Sequence, residues 1–219
     1  MQRSVLLGLA AVVGIALSVC GPATAQTRFA VDPKTELPLK SGWTTLDLDF
    51  DGKPDHILVT YNDAQSAHSN LTYIFTTSDW RTLMFESEGR PVPKTIGFPA
   101  IHQTVFSTSQ GADYQLTTIR LLVDRKALKT YAVAAFRDFG RTWVDSRPVT
   151  FELFELTVVP PDNQTPMAPA EYFRLIGWFT TKKCYPDANF ALRDEFGLKL
   201  PVYDGVDPKQ ASLSQPCAK

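Results

Sequence analysis

Beyond residue 40 the chain is a succession of short β-rich apolar runs separated by turn residues. Runs at 43–48, 56–61, 70–77, 101–107, 114–123, 130–137, 148–159 and 171–181 carry the β-branched and aromatic residues that suit a pleated surface, and 82–86 adds a short edge strand. The run at 148–159 shows the period most clearly. Phe151, Leu153 and Glu155 fall on one face, and Glu152, Phe154 and Leu156 fall on the other. Both faces are partly apolar, which predicts a strand packed on one side and partly covered on the other. Between the runs lie a glycine- and proline-rich loop at 88–99, a turn at Asp138-Phe139-Gly140-Arg141 and a proline-rich loop at 160–169. Residues 26–39 read as an extended lead-in, and 200–219 as an irregular tail. One short C-terminal helix is expected at Ala188–Phe196, capped by Pro186-Asp187 and ended by Gly197. About nine strands of this kind predict an all-β fold, a single-domain antiparallel β-sandwich of jelly-roll-like type.

The first 25 residues stand apart from that pattern. Arg3 precedes an apolar stretch at 5–17, and Ala23-Thr24-Ala25 supplies an A-x-A site before Gln26. These are the parts of a secretory signal peptide, with an apolar stretch too short for an ordinary membrane span. Residues 26–219 are then the mature chain, read as one β-rich domain that is periplasmic or secreted, with no transmembrane span. Leu17-Ser18-Val19-Cys20 faintly resembles a lipoprotein box, although Val19 is large for the position before the cysteine. Cleavage after Ala25 leaves Cys184 and Cys217 as an even pair, which in an exported chain suggests a disulfide; two free buried thiols are the alternative. The formal net charge of −1 gives no basic footprint for nucleic acid.

The chemistry concentrates in Asp47-Leu48-Asp49-Phe50-Asp51-Gly52-Lys53-Pro54-Asp55. Asp47, Asp49, Asp51 and Asp55 take positions 1, 3, 5 and 9 of a calcium loop, with Gly52 at position 6 and the Lys53 carbonyl as a further ligand. Calcium needs several oxygens converging on one point, and alternate positions of a bending chain supply them. The loop departs from a helix-flanked calcium hand, because position 12 is Leu58 rather than a bidentate Glu and the flanks are strands. A solvated acidic turn is the plainer alternative. His56, His68 and His102 are too scattered for a zinc site, and His68 alone suggests the wall of a ligand cleft beside the hairpin. No G-x-S-x-G elbow is present, and alternate strand faces separate Glu152 from Glu155. Catalytic residues are therefore not assigned. Most aromatics, Trp43, Tyr73, Trp80 and Phe173 among them, are expected in the core, while Arg137, Arg141 and Arg147 read as a solvated basic face around a turn.

Two resemblances follow from these residues. Asp47 to Asp55 resembles the calcium loops of FG-GAP and VCBS repeats, but one copy cannot supply the blades of a propeller. The longer stretch 39–75, with the acidic hairpin, then Asn62 and Ala67-His68-Ser69, then an aromatic strand, resembles the CarG family of carbapenem intrinsic-resistance proteins. That resemblance implies a periplasmic protective protein that acts by binding a protein partner or a small molecule and does not hydrolyse the antibiotic. The alternatives are a secreted hydrolase with a site near the hairpin and the proline-rich loop, and a surface adhesion module that uses calcium to order its loops.

Overall fold

The computed structural model describes residues 29, 31–62, 70–87, 102–111, 114–159, 171–201 and 214–217. A 3-10 turn at Pro33–Thr35 leads into β1 (Glu36–Leu37), β2 (Gly42–Leu46), β3 (Asp55–Asn62), β4 (Asn70–Thr76) and β5 (Met84–Glu86). The chain continues through β6 (His102–Gln103), β7 (Val105–Ser107), β8 (Ser109–Gly111), β9 (Tyr114–Asp124), β10 (Lys129–Arg137), β11 (Arg147–Val158) and β12 (Glu171–Tyr185). Helix α1 (Ala188–Phe196) and β13 (Gln215–Pro216) complete it. The signal-peptide segment, His68 and the proline-rich loops at 88–99 and 160–169 lie outside the described residues.

The strands form two sheets. The larger has the order β1-β9-β10-β11-β12-β5-β6, with β8 on β9 and β13 on β12; the smaller is β2-β3-β4-β7. The expected β-sandwich is present, and its long strands are joined as meanders. All described pairings are antiparallel except one: β5 runs parallel to β12, setting Phe85 against Phe173. The run at 101–107 is not one strand. It breaks at Thr104, leaving β6 in the large sheet and β7 in the small one. The extended lead-in is partly paired, since β1 joins β9. The strand expected at 43–48 stops at Leu46, the one expected at 171–181 runs on to Tyr185, and the tail contributes β13.

The two faces of the large sheet bury different partners. Toward the small sheet, Phe85, Ile119, Leu121, Phe154 and Phe173 meet Ile57, Val59, Tyr73 and Phe75. The Phe85 and Phe173 rings lie nearly parallel with centroids 4.6 Å apart, and Phe75 meets Phe173 edge-on at 5.5 Å. On the other face Val133, Phe151, Leu153 and Phe179 pack against Phe190, Ala191, Leu192 and Phe196 of α1. Both apolar faces of β11 are thereby explained. The alanines of β10 serve the same arrangement. Ala132 and Ala134 face one core and Ala135 the other, all fully buried, and their small size lets both layers approach the sheet.

Helix α1 begins and ends at the expected residues because both ends are set locally. The Asp187 carboxylate accepts the Asn189 N–H at 2.6 Å, the bond that favours Asp at this position. Gly197 closes the helix at φ 72°, where a side chain is disfavoured. The other Asp187 oxygen accepts the Gln115 N–H of β9 at 2.7 Å, so one carboxylate starts the helix and ties it to the sheet. Cys184 on β12 is bonded to Cys217, next to β13, with their Cα atoms 5.0 Å apart.

Candidate functional site: the acidic hairpin and its surroundings

The acidic loop joins β2 to β3 at the tip of a hairpin, and the core holds it down. Leu48 is fully buried in the inter-sheet core, and its carbonyl accepts the Thr130 hydroxyl of β10 at 2.6 Å. Two residues bend the loop through left-handed backbone, Phe50 at φ 63° and Gly52 at φ 86°. The glycine does so without steric cost.

Within the loop the carboxylates divide into two groups. Asp47, Asp49 and Asp55 converge, each offering an oxygen within 4.8 Å of the others. Asp55 is almost wholly buried and accepts the Leu48 N–H at 2.8 Å. Asp47 accepts the Gly52 N–H at 3.0 Å with one oxygen, while its other oxygen is buried with no hydrogen-bond partner. Burial, followed by neighbouring carboxylates, pushes the acids of Asp49 and Asp55 above the usual range. Three crowded carboxylates with an orphaned buried oxygen fit the donor set of a hard cation. Asp51 does not join them. One of its oxygens accepts the Lys53 N–H at 2.7 Å and the other pairs with Lys53 Nζ at 2.9 Å. That hydrogen bond holds the Asp51 acid below its ordinary value. The Lys53 side chain is therefore ion-paired, although exposed.

The tertiary structure brings further groups to the loop. Glu171, at the start of β12, is close enough to Asp49 and Asp55 for their charges, added to burial, to raise its acid. Arg81 binds Asp79 through Nε at 2.8 Å and reaches Glu171 at 3.5 Å. Together Asp51, Lys53, Ser78, Asp79, Arg81 and Glu171 line a polar cleft of about 460 Å³. Beside it stand Trp43, His56 and Trp80. Both tryptophans are 60% exposed, against the expectation that they belong to the core, whereas Tyr73, Phe75, Phe151, Phe154, Phe173 and Phe179 are buried as expected. The pattern of sequence gave no reason to single out Glu171, Asp79 or Trp80.

Of the basic face expected around Arg137, Arg141 and Arg147, the last two are exposed as expected and Arg137 is not. Arg137 is fully buried, and its guanidinium donates to the carbonyls of Trp143 and Asp145. Burial lowers its pKa to about 10. Its place on β10 beneath the turn explains this: the turn carbonyls supply the acceptors that solvent would otherwise provide. Glu152 is buried between the sheets while Glu155 pairs with Lys129 at 2.9 Å, so the two do not form a facing pair.

Among the described residues these features define a class: a two-sheet β-sandwich backed by one helix, with an acidic hairpin whose base is buried and whose tip is exposed. No family model matches the chain, and no curated protein matches it. Among solved structures, the crystal structure of CarG matches with a TM-score of 0.55 at 21% identity, covering 73% of this chain and 94% of that one. At that identity the likeness establishes a shared fold. Among the described residues no helix is long and apolar enough to cross a membrane.

Proposed function

We propose that this is an exported, non-catalytic binding protein of the CarG type, protective in the periplasm, whose acidic hairpin is a structural calcium site. The observation that carries the reading is the CarG fold extending over nearly the whole of that protein's length. The disulfide between Cys184 and Cys217 accords with an oxidising compartment. The orphaned buried oxygen of Asp47, beside Asp49 and Asp55, supports the calcium clause. Calcium would neutralise carboxylates whose crowding otherwise opposes the folded hairpin, with Asp47, Asp49 and Asp55 as its protein ligands. A second reading, a calcium-ordered interaction module, is favoured by the exposure of Trp43 and Trp80.

The test is a thermal melt of the purified protein with calcium and then with chelator. Saturation at a hundredfold excess over Kd adds about 2.7 kcal/mol, a rise of roughly 5–10 °C for a chain of this size. Asp49→Asn should abolish that rise and Asp51→Asn should leave most of it. Identical wild-type melts in calcium and chelator would remove the metal from the proposal. Deleting the gene should raise sensitivity to a β-lactam; unchanged sensitivity would count against the protective clause and favour the interaction module.

A further inference from the structure

Trp43, His56 and Trp80 form an aromatic corner on the outer face of the small sheet. His56 stacks on Trp80 with ring centroids 4.2 Å apart and planes 13° apart. Trp43 stands nearly perpendicular to both, 5.6 Å from Trp80 and 6.4 Å from His56. Despite these contacts both tryptophans remain 60% exposed. The corner continues into an apolar row, because Trp43 is in register with Leu58, Leu58 with Ile74, and Ile74 with Val105. At a strand spacing of about 4.8 Å, that row crosses roughly 14 Å of sheet surface.

The backbone at Trp80 is held at a cost. Its φ of 68° lies in the left-handed region, where a bulky residue is a genuine outlier. The turn that imposes it is heavily bonded: Thr77 N–H donates to the Arg81 carbonyl at 2.8 Å, and Trp80 N–H to the Thr77 carbonyl at 2.9 Å. Arg81 N–H donates to the Thr77 hydroxyl at 3.1 Å, and the same hydroxyl donates to Asp79. Strain that the surroundings over-determine is characteristic of functional positions. The turn delivers two things at once, the indole to the corner and Asp79 with Arg81 to the polar cleft.

The chemistry of the two parts selects a ligand class. In the cleft Lys53 and Arg81 are paired with Asp51, Asp79 and Glu171, so both cations are already satisfied and the cleft is dense in donors and acceptors with one carboxylate in excess. That suits hydroxyls better than an anionic group. The corner and row offer ring faces and apolar surface suited to the C–H faces of a sugar. We infer that Trp43, His56 and Trp80 are a saccharide platform, and that the adjoining cleft takes the hydroxyls of a pyranose chain. This deepens the binding reading above and rests on it for the choice of an insoluble cell-wall probe.

The experiment titrates the purified protein with a β-1,4-linked N-acetylglucosamine tetramer, following tryptophan fluorescence and calorimetry, and sediments it with purified peptidoglycan sacculi. Binding of the soluble tetramer assigns the site to any accessible oligosaccharide; sedimentation with sacculi alone restricts it to the polymeric wall glycan. Either outcome supports the platform if Trp43→Ala and Trp80→Gly each weaken it by about tenfold or more, equivalent to about 1.4 kcal/mol. Trp80→Phe should recover part of the loss. Trp80→Gly removes the ring and relieves the left-handed strain together, so its melting temperature should stay within about 3 °C of wild type or rise. Loss of binding in that variant is therefore loss of the ring. The proposal is overturned if neither probe binds, if Trp80→Gly binds as wild type, or if Trp43→Ala instead abolishes self-association measured by sedimentation. Because calcium is read separately by the chelator melt, glycan binding without a calcium response would reject the metal and keep the platform.

Discussion

Replacing Asp187 with alanine removes one carboxylate that serves two elements. It deletes the acceptor for Asn189 N–H, which starts α1, and the acceptor for Gln115 N–H on β9, 72 residues away in sequence. Loss of an N-cap costs about 1 kcal/mol. Leaving a buried N–H without a partner costs a further 1–3 kcal/mol or so. Offsetting this, the substitution removes a buried acid whose ionisation the fold opposes: burial raises the Asp187 acid, against backbone hydrogen bonds and the Arg120 charge, which lower it. The net expectation for Asp187→Ala is a loss of about 2–4 kcal/mol, read from urea unfolding by linear extrapolation. Asp187→Asn keeps one carbonyl acceptor and should cost roughly half as much. The pH dependence has a definite sign. A carboxyl raised on folding contributes stability that is fully present below the unfolded value of 3.8 and is lost as pH rises through the folded value. Asp187→Asn, which cannot ionise, should therefore cost more at pH 4 than at pH 7. A loss below about 0.5 kcal/mol for alanine, the scale of a surface change, would refute the claim that this carboxylate anchors the helix. A cost for asparagine that grows toward neutral pH would show that the backbone N–H groups and Arg120 outweigh burial.

Other perturbations test the frame around the site. Reducing the Cys184–Cys217 bond, or replacing both cysteines with serine, should lower stability by about 3–4 kcal/mol, seen as a lower urea midpoint with reductant than without. Gly140→Ala should cost about 2 kcal/mol or more, because a Cβ there would lie 2.9 Å from the Asp145 Cβ at a φ of 72°. Gly52→Ala meets no atom within 4 Å at its φ of 86° and should cost only about 1 kcal/mol. Equal melting temperatures for the two variants would show that the Gly140 contact is not limiting.

What could be read in advance was local. The helix from Ala188 to Phe196 was legible because Asp187 and Gly197 act on neighbouring backbone, and an N-cap or a left-handed stop needs no distant partner. The acidic loop was legible for the same reason: Asp47, Asp49 and Asp55 lie within nine residues, and their oxygens come together once the chain bends at Gly52. The β11 pattern, apolar on both faces, also foretold cover on both sides, though not that a helix would provide it. Spacing could not show that Asp51 pairs with Lys53 while the other three converge, because it does not register competition from a near neighbour.

The sequence by itself thus determined the β-rich character, the helix with its caps, the hairpin and the pair of cysteines available to bond. Tertiary structure alone decided which strands pair, which indoles are exposed and which charges meet. The parallel pairing of β5 with β12 brings Glu171 toward a hairpin more than a hundred residues earlier in the chain. Burial of Arg137 and exposure of Trp43 and Trp80 run against the preferences of their residue types. The physical reason is that propensity and periodicity act over a few residues, whereas a side chain's solvent exposure depends on which distant layer covers its face of the sheet.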